Sequence, residues 1–112
     1  MIVVVRRAGE FEVRYTQHAR ADLLRLGDFL LDQAQTVEDF DAAQLAVDTV
    51  TSEVEGRLSR TPFIFRKAGS SAFLRELIVP FGATGYVVLY EIGPGLVVNV
   101  LAVRHQREDD YD

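Results

Sequence analysis

The residues best suited to chemistry stand near the end of the chain. A dense apolar run stops at Val103, and Arg104, His105, Gln106 and Arg107 follow at once, ahead of Glu108, Asp109 and Asp110. A histidine set between arginines could move a proton while the guanidinium groups hold phosphate charge. The same residues could equally form a solvated tail whose opposite charges pair with one another. Arg75 is a second candidate. It lies within an apolar stretch, Phe73-Leu74 before it and Leu77-Ile78-Val79 after it. A guanidinium there requires a carboxylate, backbone carbonyls or a partner molecule. Glu91 raises the same question at the end of the stretch Tyr86–Ile92, on the Val87–Leu89 face. If that face is buried, an Arg75–Glu91 or Arg104–Glu91 ion pair is expected. His18, beside Gln17 and Arg20 near a helix start, reads as a solvated surface residue.

Composition narrows the chemistry. The chain has 112 residues, 48% of them hydrophobic and 26% charged, which suits a globular domain and not a disordered one. With zero cysteines, disulfides, thiolate zinc sites and cysteine nucleophiles are all excluded. No zinc spacing, phosphate-binding glycine loop or dinucleotide fingerprint is present, so no metal and no cofactor is expected. No apolar run approaches the ~20 residues of a membrane span. The amino end runs apolar before basic, the reverse of a secretory leader. A single cytoplasmic domain over 1–112 is therefore expected.

The formal net charge of −5 hides a strong segregation. Residues 1–21 carry +2, residues 22–55 carry −8, residues 57–75 carry +5 and residues 76–112 carry −4. The positive block consists of Arg57, Arg60, Arg66, Lys67 and Arg75 with no acid among them. It could hold phosphates or bind an acidic protein surface. Arg57 and Arg60 also suit the carboxyl end of a helix.

Periodicity supplies the elements that must position these groups. Phe11 to Thr16 alternates apolar and polar, as a half-buried strand does. Thr16 suits a helix cap. Ala19, Leu23, Leu26, Leu30 and Ala34 then mark one helix face, and Ala43, Val47, Val50, Val54 and Leu58 mark a second. Between them, Thr36 to Asp39 carries cap chemistry, with Asp39 where a capping box places Glu or Gln. The two helices should form an antiparallel hairpin. Pro62 ends the second helix. Strands are predicted over Phe73–Phe81, Tyr86–Ile92 and Leu96–Val103, joined by glycine-rich turns. Tyr86, Val88 and Tyr90 share a face and read as core rather than as a base-stacking platform. The expectation is an α+β fold: an N-terminal strand, a two-helix antiparallel hairpin, then three antiparallel strands, with both helices on one face of an antiparallel sheet. Residues 1–10 form an extra strand or an extension.

The run Leu74-Arg75-Glu76-Leu77, then Pro80-Phe81-Gly82, Gly85-Tyr86-Val87-Val88-Leu89-Tyr90 and Val100-Leu101-Ala102-Val103-Arg104-His105-Gln106-Arg107 resembles the RelE/ParE toxin superfamily of type II toxin–antitoxin modules. The Phe11–Tyr15 strand, the Ala-x-x-Asp-Leu pattern at Ala19 to Leu23 and the acidic helix pair match it too. The resemblance covers about residues 11–111; it rests on order and spacing, and the ParE-like branch fits best. It implies the same fold and a cognate antitoxin as partner. RelE-like members cut messenger RNA in the ribosomal A site; ParE-like members poison DNA gyrase. RelE-like cleavage relies on arginines, often one in the turn before the Tyr86 strand, and here Gly82-Ala83-Thr84-Gly85 contains none. If the chain is RelE-like, Arg75, Arg104 and His105 are the catalytic candidates. Arg57, Arg60, Arg66, Lys67, Arg75, Arg104, His105 and Arg107 are the candidates for contacting antitoxin or target. Enzymatic activity depends on the branch: none for a gyrase poison, endoribonuclease for the ribosome-dependent alternative. The negative total favours a protein target over naked RNA.

Overall fold

The computed structural model describes residues 9–81 and 84–106. The extra strand expected at Ile2–Val5, the turn residues Gly82 and Ala83, and Arg107 lie outside them. The chain begins with strand β1 (Glu12–Tyr15) and continues into helices α1 (Gln17–Asp32) and α2 (Val37–Leu58). Strands β2 (Arg66–Lys67), β3 (Leu74–Phe81), β4 (Thr84–Gly93) and β5 (Val97–His105) follow.

Both helices start where their caps require. The Thr16 hydroxyl accepts the Ala19 N–H at 3.1 Å, and the Thr36 hydroxyl accepts the Asp39 N–H at 3.1 Å. Asp39 reaches back as a capping box demands, but its short carboxylate accepts the N–H of Gln35 at 3.0 Å. One face of each helix then meets the sheet. Ala19 and Leu26 from α1 and Ala46, Val50, Val54 and Leu58 from α2 join one buried cluster. The sheet contributes Leu77 and Val79, then Tyr86, Val88, Tyr90 and Ile92, then Val98, Val100 and Val103. Each fully buried Val or Leu stabilises the fold by about 1.5–3 kcal/mol. Tyr86 and Tyr90 are sealed in this layer, as the alternation predicts, so they offer no ring face for stacking.

The sheet differs from the antiparallel one expected. Its order is β1-β5-β4-β3-β2. The pairs β2–β3, β3–β4 and β4–β5 are antiparallel, but β1 lies parallel to β5, with Glu12 opposite Val97 and Tyr15 opposite Val100. Short loops dictate antiparallel pairing only between consecutive strands. A parallel pair needs a long crossover, and here the helices and three strands intervene. The two-residue β2 adds a pairing that the sequence does not announce, opposite Arg75 and Glu76.

A register shift shapes the end of β5. Tyr90 faces Val100, whereas Leu89 faces Ala102, so Leu101 is an extra residue. The bulge reverses the alternation and returns Val103 to the helix side. Beside it, a Cβ on Gly85 would lie 2.7 Å from the Val79 carbonyl and 3.3 Å from the Pro80 Cα. Glycine at that position is what lets the β3 and β4 backbones close together beside the strand end.

Candidate functional site

The structure distributes the candidate cations over three places. Arg57 and Arg60 belong to the end of α2, which the Phe11 N–H ties to the start of β1 by donating to the Ser59 carbonyl at 2.7 Å. Arg66 and Lys67 form the β2 edge. Arg104 and His105 end β5. Val97, beside the start of β1, and His105 lie eight residues apart, about 26 Å along an extended strand. The β2 edge lies three strands from β5, about 14 Å across the sheet, so the positive block and the Arg-His strand end are not one patch.

Most of these cations have local partners. Arg57 pairs with Glu53 at 2.5 Å, one turn back on α2. Arg66 pairs with Glu76 at 3.2 Å across the β2–β3 ladder. Arg60 and Lys67 are exposed and make no ion pair with another described residue. Arg75 satisfies the need inferred for it, and it does so with carbonyls. Its Nε donates to the Ala72 carbonyl at 2.8 Å, and its Nη1 donates to the carbonyls of Phe63 at 2.7 Å and Phe65 at 2.9 Å. The guanidinium also lies 5.6 Å from the Phe63 ring centroid.

The ion pairs suggested for Glu91 do not form. Glu91 faces Leu74 and Asn99 and is exposed, on the side of the sheet opposite Arg75. Arg104 faces Val87, four residues further along β4. Neither α1 nor α2 packs on the Val87–Leu89 face, and at its end the Glu91 carboxylate is exposed.

Arg75 organises a second feature. The connection from α2 to β2 crosses the helix side of the sheet, and Pro62 is buried there while its carbonyl accepts the Tyr90 hydroxyl at 2.5 Å. Burial pushes the Tyr90 hydroxyl up to about 12, against the lowering influence of the Arg75 charge. Beyond Pro62 the chain exposes Phe63 (48%) and Ile64 (71%), next to Phe73 (54%). Phe11, Phe63 and Phe73 form an edge-to-face row with centroids 6.3 and 6.4 Å apart. The row is exposed, and the Arg75 bonds to the carbonyls of Phe63, Phe65 and Ala72 fix the backbone that carries it.

At the other end, His105 lies on the helix side, edge-on to Tyr86 with centroids 5.4 Å apart, while Arg104 emerges on the opposite face. Tyr86 also contacts Phe81, and burial raises its hydroxyl pKa. Arg75 faces Tyr90 and His105 faces Tyr86, two strands apart and four residues along the ladder. Arg75, Arg104 and His105 do not converge on one point. Among the described residues, no group of three or more His, Asp or Glu side chains is arranged to hold a metal ion.

One important residue escapes a search for cations. Asp22 is 2% exposed and is the one charged side chain buried among the described residues. Its Oδ2 accepts the Val103 N–H at 2.9 Å. The sequence carries the signal: Asp22 sits three after Ala19 and four before Leu26, on the apolar stripe of α1. His18, solvent-exposed as read, brings its Nε2 within 3.5 Å of the same carboxylate.

Comparison with known proteins adds independent information. The family described as ParE toxin of type II toxin-antitoxin system, parDE, matches residues 13–110. Over 90 residues the chain is 37% identical to Toxin RelE3 of Caulobacter vibrioides, covering 80% of this chain and 88% of that protein. A solved chromosomal ParDE TA system from P. aeruginosa has a similar fold, with a TM-score of 0.66 at 14% identity. That match covers 86% of this chain and 96% of the other.

Proposed function

We propose, for a chain that belongs to the ParE toxin family of type II toxin–antitoxin systems, that growth inhibition works through DNA gyrase and not through RNA cleavage. The carrying observation is the scatter of Arg75, Arg104 and His105. Phosphodiester cleavage needs an acid–base group and cations aimed at one phosphate. Here Arg75 is committed to three backbone carbonyls, and Arg104 and His105 leave β5 on opposite faces. Binding a protein target requires no such convergence.

In this reading a cognate antitoxin silences the toxin and the pair serves as a plasmid-stabilisation module in the cytoplasm. The antitoxin covers the aromatic row at Phe63 and Phe73 with its flanking Arg60 and Lys67, while the Arg104–His105 end addresses gyrase. Charge supports a protein partner, since an acidic helix hairpin would repel nucleic acid over much of the surface. The second reading is a ribosome-dependent mRNA endoribonuclease. It is favoured by the name of the Caulobacter relative, Toxin RelE3.

Induction of the toxin without its antitoxin separates the two. A gyrase poison produces DNA-damage signalling and gyrase-linked breaks while translation continues at first. Immediate arrest of translation, with cuts in messenger RNA placed by codon position, would replace the first reading by the second.

A further inference from the structure

We propose that Asp22 is a positioning residue that takes over from β1 as the edge partner of β5 and thereby fixes the strand end bearing Arg104 and His105. The register of β1 stops at Tyr15 opposite Val100. Thr16 closes this ladder, donating its N–H to the Val100 carbonyl at 3.0 Å and its hydroxyl to the Leu101 carbonyl at 3.4 Å. The chain then turns away into α1, although β5 continues to His105. With β4 on its inner side, this part of β5 turns the Val103 N–H toward its outer edge, where no described strand continues past Tyr15, and the Asp22 carboxylate accepts it. A helix side chain thus replaces a strand backbone.

Charge gives this contact its strength. A carboxylate that accepts a backbone N–H forms a stronger bond than a neutral acceptor does, but burial is tolerable only with compensating partners. Arg25 lies 3.3 Å from the outer oxygen of Asp22, and His18 lies 3.5 Å from the oxygen that holds Val103. Both are presented from neighbouring turns of α1. The anchored amide immediately precedes Arg104 and follows the bulge at Leu101, where β5 is least constrained by β4. Fixing Val103 sends Arg104 to the open face and His105 onto Tyr86.

The toxicity arm of the test rests on the reading above that this strand end meets the target; the structural arm does not. Amide hydrogen exchange is measured on the folded protein and on Asp22→Ala and Asp22→Asn. Asp22→Ala should exchange at least tenfold faster at Val103, with Val98 unchanged, and should move the His105 ring resonances. Asp22→Asn keeps an acceptor oxygen but loses the charge, so its Val103 exchange should fall between those of the parent and Asp22→Ala. In cells, Asp22→Ala should lose growth inhibition while the folded protein still binds antitoxin, and Asp22→Asn should retain it. Unchanged Val103 exchange in Asp22→Ala overturns the anchor. Equal loss of toxicity in Asp22→Asn with protected Val103 overturns positioning, because the charge itself would then be what matters. If Arg104→Ala and His105→Ala both remain fully toxic, the functional reading of the strand end fails while the exchange result still decides the anchor. Should Asp22→Ala not fold, Asp22→Ser, which withdraws its polar group from Val103, is read in the same way.

Discussion

Replacing Arg75 by alanine tests whether this side chain holds the protein together or acts on a target. The side chain makes three charge-assisted bonds to carbonyls, at 2.7, 2.8 and 2.9 Å, and a contact with the Phe63 ring. A bond to a charged group contributes about 1.5–3 kcal/mol when water cannot replace it. The Ala72 and Phe63 bonds are exposed, so water recovers most of their value; the Phe65 bond is part-buried and keeps more of it. Adding about 0.5–1 kcal/mol for an exposed cation–π contact brings the expected loss to about 2–3 kcal/mol. For a domain of this size that lowers the melting temperature by roughly 10–20 °C. Arg75→Lys should recover little, because one ammonium cannot span three carbonyls as a planar fork does.

The assay pairs urea denaturation with growth inhibition, the latter scored at a temperature where the variant is folded. Loss of stability with toxicity retained in the folded fraction is the expected result. If Arg75→Ala denatures within about 0.5 kcal/mol of the parent, the range of an indifferent surface change, and yet loses toxicity, the reasoning is refuted. Arg75 would then act on the target, as the endoribonuclease reading requires.

Two tyrosines give further tests. Tyr90→Phe strands the buried Pro62 carbonyl and should cost about 1–3 kcal/mol, whereas Tyr15→Phe removes a buried hydroxyl that has no hydrogen-bond partner and should be neutral or slightly stabilising; equal losses in thermal denaturation would contradict the assignment. Stability should also fall at alkaline pH. Burial pushes both hydroxyls up to about 12 from an ordinary 10, with Glu55 adding to the rise at Tyr15, so the unfolded chain releases protons first. The stability is complete below pH 10 and declines as pH rises through 10 to 12; urea titrations showing no decline, or an equal one in the Tyr15→Phe/Tyr90→Phe double variant, would count against it.

The fold was legible where the signal is local. Thr16 and Thr36 cap the helices as their side chains suggest, and the apolar stripes identify the faces that meet the sheet. The pairing of β1 with β5 was not legible, because no turn chemistry links strands separated by most of the chain. The bulge at Leu101 was equally hidden: Val98, Val100 and Val103 look out of phase until an extra residue is admitted. For Arg75 the need for a partner was readable, but three carbonyls from a loop with no regular pattern were not. Asp22 was readable in principle, as an acid on an apolar stripe, yet a search for cations and histidines passes over it.

The positive block shows why charge counted along a chain overstates charge available to a ligand. Residues 57–75 carry five cations and no acid. Folding brings Glu53 to Arg57 and Glu76 to Arg66, both from outside the block, and consumes Arg75 on carbonyls. Among the described residues this leaves Arg60 and Lys67 without an ionic partner, one near the end of α2 and one on the β2 edge. The Arg104 end lies three strands from Lys67 on β2, about 14 Å across the sheet and beyond the ~8 Å Debye length at physiological salt, so it adds little to that cation. A polyanion gains affinity from many phosphates neutralised together. Two separated cations beside Phe63, Ile64 and Phe73 suit a different partner, one that contributes apolar side chains to the row and a few acids to its rim.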